Sequence, residues 1–196
     1  MTGYDLPPSL PATRNPVTRF IGCIAMRLMR WRLAGMFPDT PRFVLIVAPH
    51  TSNWDFFVAL AAKFALGLQG AWIGKHTIFR WPVAGLLRSL GGIPVNRSSA
   101  HGVVDQLVGE FARRDKMVFA LAPEGTRRRV EHWRSGYWYV AHRANVPIVP
   151  VGLDYALRTI FIGPPLATSD SLEGDERKLR AFFSGVAPKV PADYKV

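Results

Sequence analysis

The sequence predicts an α/β fold: a single domain with a mixed, largely parallel sheet flanked by helices and preceded by an N-terminal amphipathic helix. Three observations carry this. Apolar runs of strand length alternate with segments of helical periodicity from residue 43 to residue 184. The run Phe43-Val44-Leu45-Ile46-Val47-Ala48 is apolar on both of its alternating faces, as a strand covered by helices on both sides must be. The 196 residues, 48% of them hydrophobic, are enough for one ordinary core and show no linker, internal repeat or low-complexity tract.

The elements follow in order. Residues 1–15 hold Pro7, Pro8 and Pro11 and read as an irregular arm. Residues 16–37 read as an amphipathic, membrane-associating helix. Arg19, Arg27 and Arg30 fall within about 80° of one another at helical spacing, and Phe20, Ile21, Ile24, Leu28 and Trp31 lie on or beside a broad apolar face. A basic face opposite Trp, Phe and Leu suits a helix lying in a membrane interface, although a helix packed on its own domain has the same pattern. Residues 38–196 form the α/β domain. Within it, 43–48 is a buried-type strand and 53–68 a helix. A strand near 71–74, a helix near 80–90 and a short strand at 93–95 come next. Residues 100–114 are helical, 117–121 a strand and 134–144 a helix. Residues 147–153 are a strand continuing from Asp154 to Phe161 into another, and 171–184 a last helix.

Composition narrows the partners. Lys and Arg outnumber Asp and Glu by 25 to 14, a formal charge of +11, and 19 of the 25 are Arg. Such a surplus calls for an anion: nucleic acid, an acidic membrane surface or a phosphorylated substrate. Cys23 is the single cysteine, so neither an internal disulfide nor a cysteine-based zinc site is available. No stretch has the 18 or more apolar residues of a spanning helix, and residues 1–30 lack a signal-peptide pattern. His76, His101, His132 and His142 are scattered without metal-ligand spacing, so no metal is expected.

Two polar motifs follow buried-type strands. His50-Thr51-Ser52-Asn53-Trp54-Asp55 comes after the 43–48 run, where a loop at the carboxyl edge of a sheet faces a crevice. With a helix starting at Ser52 or Asn53, Asp55 lies in its first turn and the bend brings the carboxylate back toward the His50 ring. A carboxylate on one ring nitrogen fixes the tautomer and frees the other nitrogen to accept a proton. The same letters, Ser52-x-x-Asp55, also spell a capping box, so a purely structural role for Asp55 stays open. Pro123-Glu124-Gly125-Thr126-Arg127 follows the 117–121 strand. Gly125 permits a left-handed turn, Thr126 offers a hydroxyl, and Arg127 can grip a phosphate with two N–H groups; a solvated turn before the charge run Arg127-Arg128-Arg129 is the plainer reading.

Taken together, these motifs resemble the paired signature of the glycerolipid acyltransferases, whose best-known members acylate 1-acylglycerol-3-phosphate. Gly92-Ile93-Pro94-Val95-Asn96-Arg97 resembles the family's intermediate motif, and Val146-Pro147-Ile148-Val149-Pro150-Val151 its proline-containing strand motif. Lys75 matches a basic position near the family's phosphate site. The resemblance runs from about residue 43 to 154, and the segment Arg128-Arg129-Val130-Glu131-His132-Trp133-Arg134-Ser135-Gly136 after the second motif resembles a compact bacterial branch. Pro49, Asn96 and Arg134 depart from the usual pattern, which leaves the acceptor open.

The resemblance implies the glycerol-phosphate acyltransferase-like fold and O-acyl transfer, with His50 as general base oriented by Asp55. The donor would be an acyl thioester, acyl-CoA or acyl carrier protein, acting as co-substrate; no cofactor and no metal are implied. Lys75, Arg97, Glu124, Gly125, Thr126 and Arg127 would bind a lysophospholipid-type acceptor such as 1-acylglycerol-3-phosphate. An aminolipid or glycolipid acceptor, or a lipid-binding protein without catalysis, remains an alternative. The implied setting is peripheral, at the cytoplasmic face of the inner membrane on an anionic lipid surface, with no nucleic acid as partner.

Overall fold

The computed structural model of the chain describes residues 5–13, 15–95 and 100–194. Its elements are α1 (Pro16–Leu28), β1 (Arg32–Ala34), β2 (Arg42–Ala48), α2 (Trp54–Leu66), β3 (Gly70–Lys75), α3 (Ala84–Ser89), β4 (Gly92–Val95), α4 (Ala100–Arg113), β5 (Met117–Leu121), α5 (Gly136–Ala144), β6 (Ile148–Asp154), β7 (Thr159–Ile162) and α6 (Leu172–Phe183). The strands form one sheet in the order β1-β7-β6-β2-β5-β3-β4. From β6 to β4 all neighbours are parallel, and β7 is antiparallel to β6. The carboxyl ends of β2, β5, β3, β4 and β6 therefore share one edge, where parallel α/β sheets place their ligand sites.

Strand β2 lies at the centre and shows why its run is apolar throughout. Val44, Ile46 and Ala48 face a core built with Leu107 and Phe111 of α4, Tyr137 and Ala141 of α5, and Leu179 and Phe183 of α6. Phe43 and Leu45 face the other core, with Met26 of α1 and Val58, Ala61 and Leu66 of α2. Two helical layers thus cover the sheet, and the expected fold class holds.

The N-terminal region differs from the sequence expectation. The helix over 16–37 stops at Leu28. Arg30 adopts a left-handed conformation (φ 58°) and the Trp31 N–H donates to Met26 O at 2.9 Å, closing the helix with a Schellman-type turn. No glycine marks this stop, because Arg itself takes the left-handed position. The chain then enters β1, which runs parallel to β7 with Leu33 beside Ile160. Trp31 is buried with Leu33 and Phe37 in the α1–α2 core instead of continuing the helix's apolar stripe. The arm is likewise docked: Leu10 is buried, and Ala12 bridges to Leu68. Asp154 to Phe161 is a strand end, a turn and an antiparallel return, not one extended run.

Helix α1 keeps one apolar face uncovered, with Phe20, Ile21 and Ile24 exposed and Leu28 77% exposed. Its opposite side lies against α2 at Gly22, where an added Cβ would sit 2.2 Å from Ala65 N and 2.6 Å from the Phe64 carbonyl carbon. Backbone atoms cannot yield as a flexible side chain would, so Gly22 sets the approach of the two helices.

On the other face, Asp175 of α6 is fully buried and accepts from Trp138 Nε1 at 3.1 Å, Ser169 N at 2.7 Å and Ser169 Oγ at 3.0 Å. Burial alone would raise its carboxyl pKa, but these donors and Lys178 hold it below the ordinary aspartate value. The carboxylate thereby ties α6 to α5.

Gly22→Ala should force α1 away from α2 and lower stability by about 2 kcal/mol, the usual cost of overpacking a close contact. Urea unfolding followed by tryptophan fluorescence checks this, and an unchanged midpoint would refute the close-crossing account.

Candidate active site

The site begins where β2 ends. A cis Ala48–Pro49 peptide leads to His50, and Asp55 sits in the first turn of α2. The Asp55 side chain is 2% exposed. Its Oδ2 accepts from Thr51 N at 2.8 Å and Ser52 N at 2.8 Å, and lies 3.1 Å from His50 Nδ1. Its Oδ1 accepts from the Tyr155 hydroxyl at 2.6 Å. Burial by itself would raise the carboxyl pKa. The hydrogen bonds from His50, Tyr155 and Ser52 outweigh it and hold Asp55 below the ordinary aspartate range. Asp55 is therefore an anion aimed at one ring nitrogen of His50.

The capping reading is met in part by the same atoms, since the N-cap position itself is Asn53, whose side chain makes no cap hydrogen bond. Asp55 reaches back to the Ser52 N–H, as the acidic member of a capping box does, and Ser52 Oγ accepts from Trp54 N at 3.2 Å. Helix start and dyad are one structure.

Glu124 stands in the turn just after β5, the strand beside β2 in the sheet, and is buried at 5% exposure. Its Oε1 accepts from the His50 backbone N–H at 3.1 Å, whereas Oε2 is buried with no hydrogen-bond partner among the described residues. Glu124 thus points inward and holds the His50 loop. Burial is the largest influence on it and pushes its carboxyl up to about 7, against the pull of the His50 N–H.

Gly125 takes φ 65°, the left-handed turn the sequence called for, and packs so closely on Arg134 that an added Cβ would lie 2.6 Å from its Cδ and Nε. Thr126 Oγ1 accepts from Arg128 N at 3.4 Å, and Arg127 is exposed. Gly125, Thr126, Arg127 and Arg134 line a cavity of about 940 Å³ that also includes His50. On the other face of the sheet a second cavity of about 300 Å³, with walls including Leu45, Val47, Phe56 and Val118, also reaches His50 and Asp55. Lys75 is the last residue of β3, in register with Val95 at the end of β4, so it lies at the same sheet edge. Arg97 lies outside the described residues. Among the described residues, no cluster of three or more His, Cys, Asp or Glu side chains is placed to hold a metal ion.

The family model Acyltransferase matches residues 36–154, well over half of the chain. The chain belongs to the acyltransferase family. A segment of 114 residues is 30% identical to the 1-acyl-sn-glycerol-3-phosphate acyltransferase of Escherichia coli (strain K12); it covers 55% of this chain and 45% of that protein. The chain thus spans less than half the length of this relative. The crystal structure of the 1-acyl-sn-glycerophosphate (LPA) acyltransferase PlsC from Thermotoga maritima matches with a TM-score of 0.57 at 17% identity, over 85% of this chain and 76% of that one. At that identity the likeness speaks for the fold.

Some partners of the His50–Asp55 pair were not legible in the sequence. Tyr155 meets Asp55 across 100 residues. Thr51 Oγ1 accepts from Val190 N at 3.2 Å, and Lys189 Nζ sits 4.7 Å from the centre of the Trp54 ring. Residues 187–190 therefore run across the base of the loop that carries His50. Nothing in local pattern marks these partners, which only the tertiary fold brings together.

The raised Glu124 pKa carries a stability prediction. Folded Glu124 keeps its proton to higher pH than the unfolded residue, whose ordinary value is 4.5. Its contribution to stability therefore falls as pH rises between about 4.5 and about 7. Glu124→Gln keeps an oxygen for the His50 N–H and removes the charge. The variant should gain stability relative to the wild type between about pH 5 and about pH 8 in denaturant unfolding; a pH-independent difference would contradict a buried, high-pKa carboxyl.

Proposed function

We propose that this acyltransferase moves a fatty acyl group from an acyl thioester, acyl-CoA or acyl carrier protein, to a hydroxyl of a lysophospholipid-type acceptor such as 1-acylglycerol-3-phosphate. The observation that carries the reading is the His50 Nδ1 to Asp55 Oδ2 contact of 3.1 Å, with His50 lining both cavities and Asp55 the second. With Nδ1 engaged by a buried carboxylate, Nε2 is the nitrogen that takes the hydroxyl proton. The hydroxyl oxygen then attacks the thioester carbonyl carbon, and a tetrahedral intermediate forms. Its collapse breaks the C–S bond, and the departing sulfur takes the proton back from the imidazolium. Asp55 stabilises that imidazolium without itself being protonated.

The apolar cavity beneath α2 suits the acyl chain. The rim formed by Gly125, Thr126 and Arg127 suits the acceptor phosphate, with Lys75 assigned to the same anion from its place at the sheet edge and Arg97 from the motif resemblance alone. Glu124 positions His50 in this reading. The only co-substrates are the thioester and the acceptor, and no metal or cofactor enters the steps above.

The exposed stripe of Val17, Phe20, Ile21, Ile24 and Leu28 on α1 supports peripheral binding at an anionic lipid surface, with exposed Arg27 and the Arg surplus supplying the charge. No helix among the described residues is long and apolar enough to cross a membrane. The cytoplasmic face of the inner membrane, where acyl thioesters are available, is the proposed site of action.

The test is thiol release from palmitoyl-CoA in mixed micelles, with a panel of lysophosphatidic acid, other lysophospholipids, glycolipid and aminolipid acceptors. Release should depend on one acceptor and fall at least about 100-fold in His50→Ala, the low end of what general-base help contributes. Arg127→Ala should raise KM for a phosphate-bearing acceptor more than it lowers kcat. If no acceptor supports release from either acyl-CoA or acyl carrier protein, the chain is a lipid binder without catalysis.

A further inference from the structure

Asp55 uses its two oxygens unequally. The three donors on Oδ2 are Thr51 N, Ser52 N and His50 Nδ1, all from the loop immediately before the helix. These contacts come with the local turn and would form wherever this loop precedes a helix. Among the described residues Oδ1 has a single protein donor, the Tyr155 hydroxyl at 2.6 Å, from the turn between β6 and β7. Three donors on one oxygen leave the carboxylate free to pivot about that oxygen. A fourth on the other oxygen fixes its plane. The plane matters because a carboxylate directs its lone pairs within it, and His50 Nδ1 has to meet one of them.

Tyr155 is itself held from several sides. Its ring stands edge-on to Trp31, with centroids 4.9 Å apart and planes at 86°. Its backbone N–H donates to Ala187 O at 2.9 Å, and Lys189 Nζ lies 5.7 Å from its ring centre. Burial, with the hydrogen bond and charge of Asp55, pushes the hydroxyl pKa well up, so the phenol stays protonated and donating. Tyr155 lies one residue beyond the stretch matched by the family model, which ends at 154.

We infer that Tyr155 is a positioning residue for the His50–Asp55 pair: its hydroxyl locks the Asp55 carboxylate in the orientation that presents Oδ2 to His50 Nδ1. The inference rests on the reading of that pair as base and orienting carboxylate.

The test is Tyr155→Phe, which keeps the ring against Trp31 and removes only the donor. Acyl transfer should lose about tenfold in kcat, roughly what one hydrogen bond to a charged group is worth, while KM for donor and acceptor stays within about twofold. In 15N-histidine-labelled protein, the His50 Nδ1–H proton, assigned by its loss in His50→Ala, should be downfield and protected in the wild type and broadened or lost in Tyr155→Phe. A purely structural tyrosine would lower the unfolding midpoint without selectively moving this signal. If Tyr155→Phe does not fold, Trp31→Leu keeps the hydroxyl but removes the ring that Tyr155 packs against; with that support gone, the same signal should broaden. Unchanged kcat together with a sharp, protected Nδ1–H in a folded variant would overturn the proposal. If the wild type transfers no acyl group to any acceptor, the functional reading fails, and the Nδ1–H signal alone decides whether Tyr155 positions the pair.

Discussion

The Asp55 carboxylate is the constraint on which the rest of the site depends. An ion almost removed from water is tolerated only when its lone pairs are taken up. Here the backbone of Thr51 and Ser52, the His50 ring and the Tyr155 hydroxyl share that task. Each donor belongs to a different layer of the architecture. The two N–H groups start α2, the imidazole follows the central strand, and the phenol comes from the turn beyond β6. One buried charge therefore starts a helix, orients the His50 ring and anchors a distant turn. Glu124 plays the complementary part from β5, holding the backbone of the residue whose ring Asp55 holds.

The two buried acids nevertheless end up in opposite electrostatic states. Asp55 has four donors and is held anionic. Glu124 has one donor on one oxygen, and burial pushes it up to about 7. The difference follows from the number of hydrogen bonds, since both are deeply buried. Two fixed negative charges flanking His50 would oppose one another. A glutamic acid holding its proton near neutrality lets the loop have a second anchor without a second full charge. The positive surplus is distributed differently. Arg113 and Arg114 pair with Glu110, and Arg143 pairs with Asp105. Arg180 lies over the Trp133 ring at 4.5 Å. The exposed run Arg127-Arg128-Arg129 stands at the turn itself.

Most of the fold was legible because its central strands are apolar on both faces and its helices show clear periodicity. The two motifs were legible because each follows such a strand directly, so the sheet edge brings them together. What escaped reading has particular physical causes. The end of α1 depends on Arg30 taking a left-handed conformation that Gly or Asn would have signalled. β1 is three residues long, and its apolar letters continue the helical pattern before it. Glu124 reads as a polar turn residue, yet the close packing of β2 against β5 turns its carboxylate inward. Tyr155 and Val190 act through tertiary contacts that leave no mark on neighbouring residues.

The separations of these contacts also constrain when the site can exist. His50 meets Glu124 across 74 residues, Asp55 meets Tyr155 across 100, and Thr51 meets Val190 across 139. A chain emerging from the ribosome amino end first can form α2 and its cap early, since those contacts are local. It cannot seat His50 until β5 has been inserted beside β2, nor complete the carboxylate's partners until β6 and the turn after it are in place. Between those moments the half-made domain holds an apolar central strand and an amphipathic helix, but the His50–Asp55 pair lacks part of its support. The pair takes its full set of partners only when strands distant in sequence have closed around it.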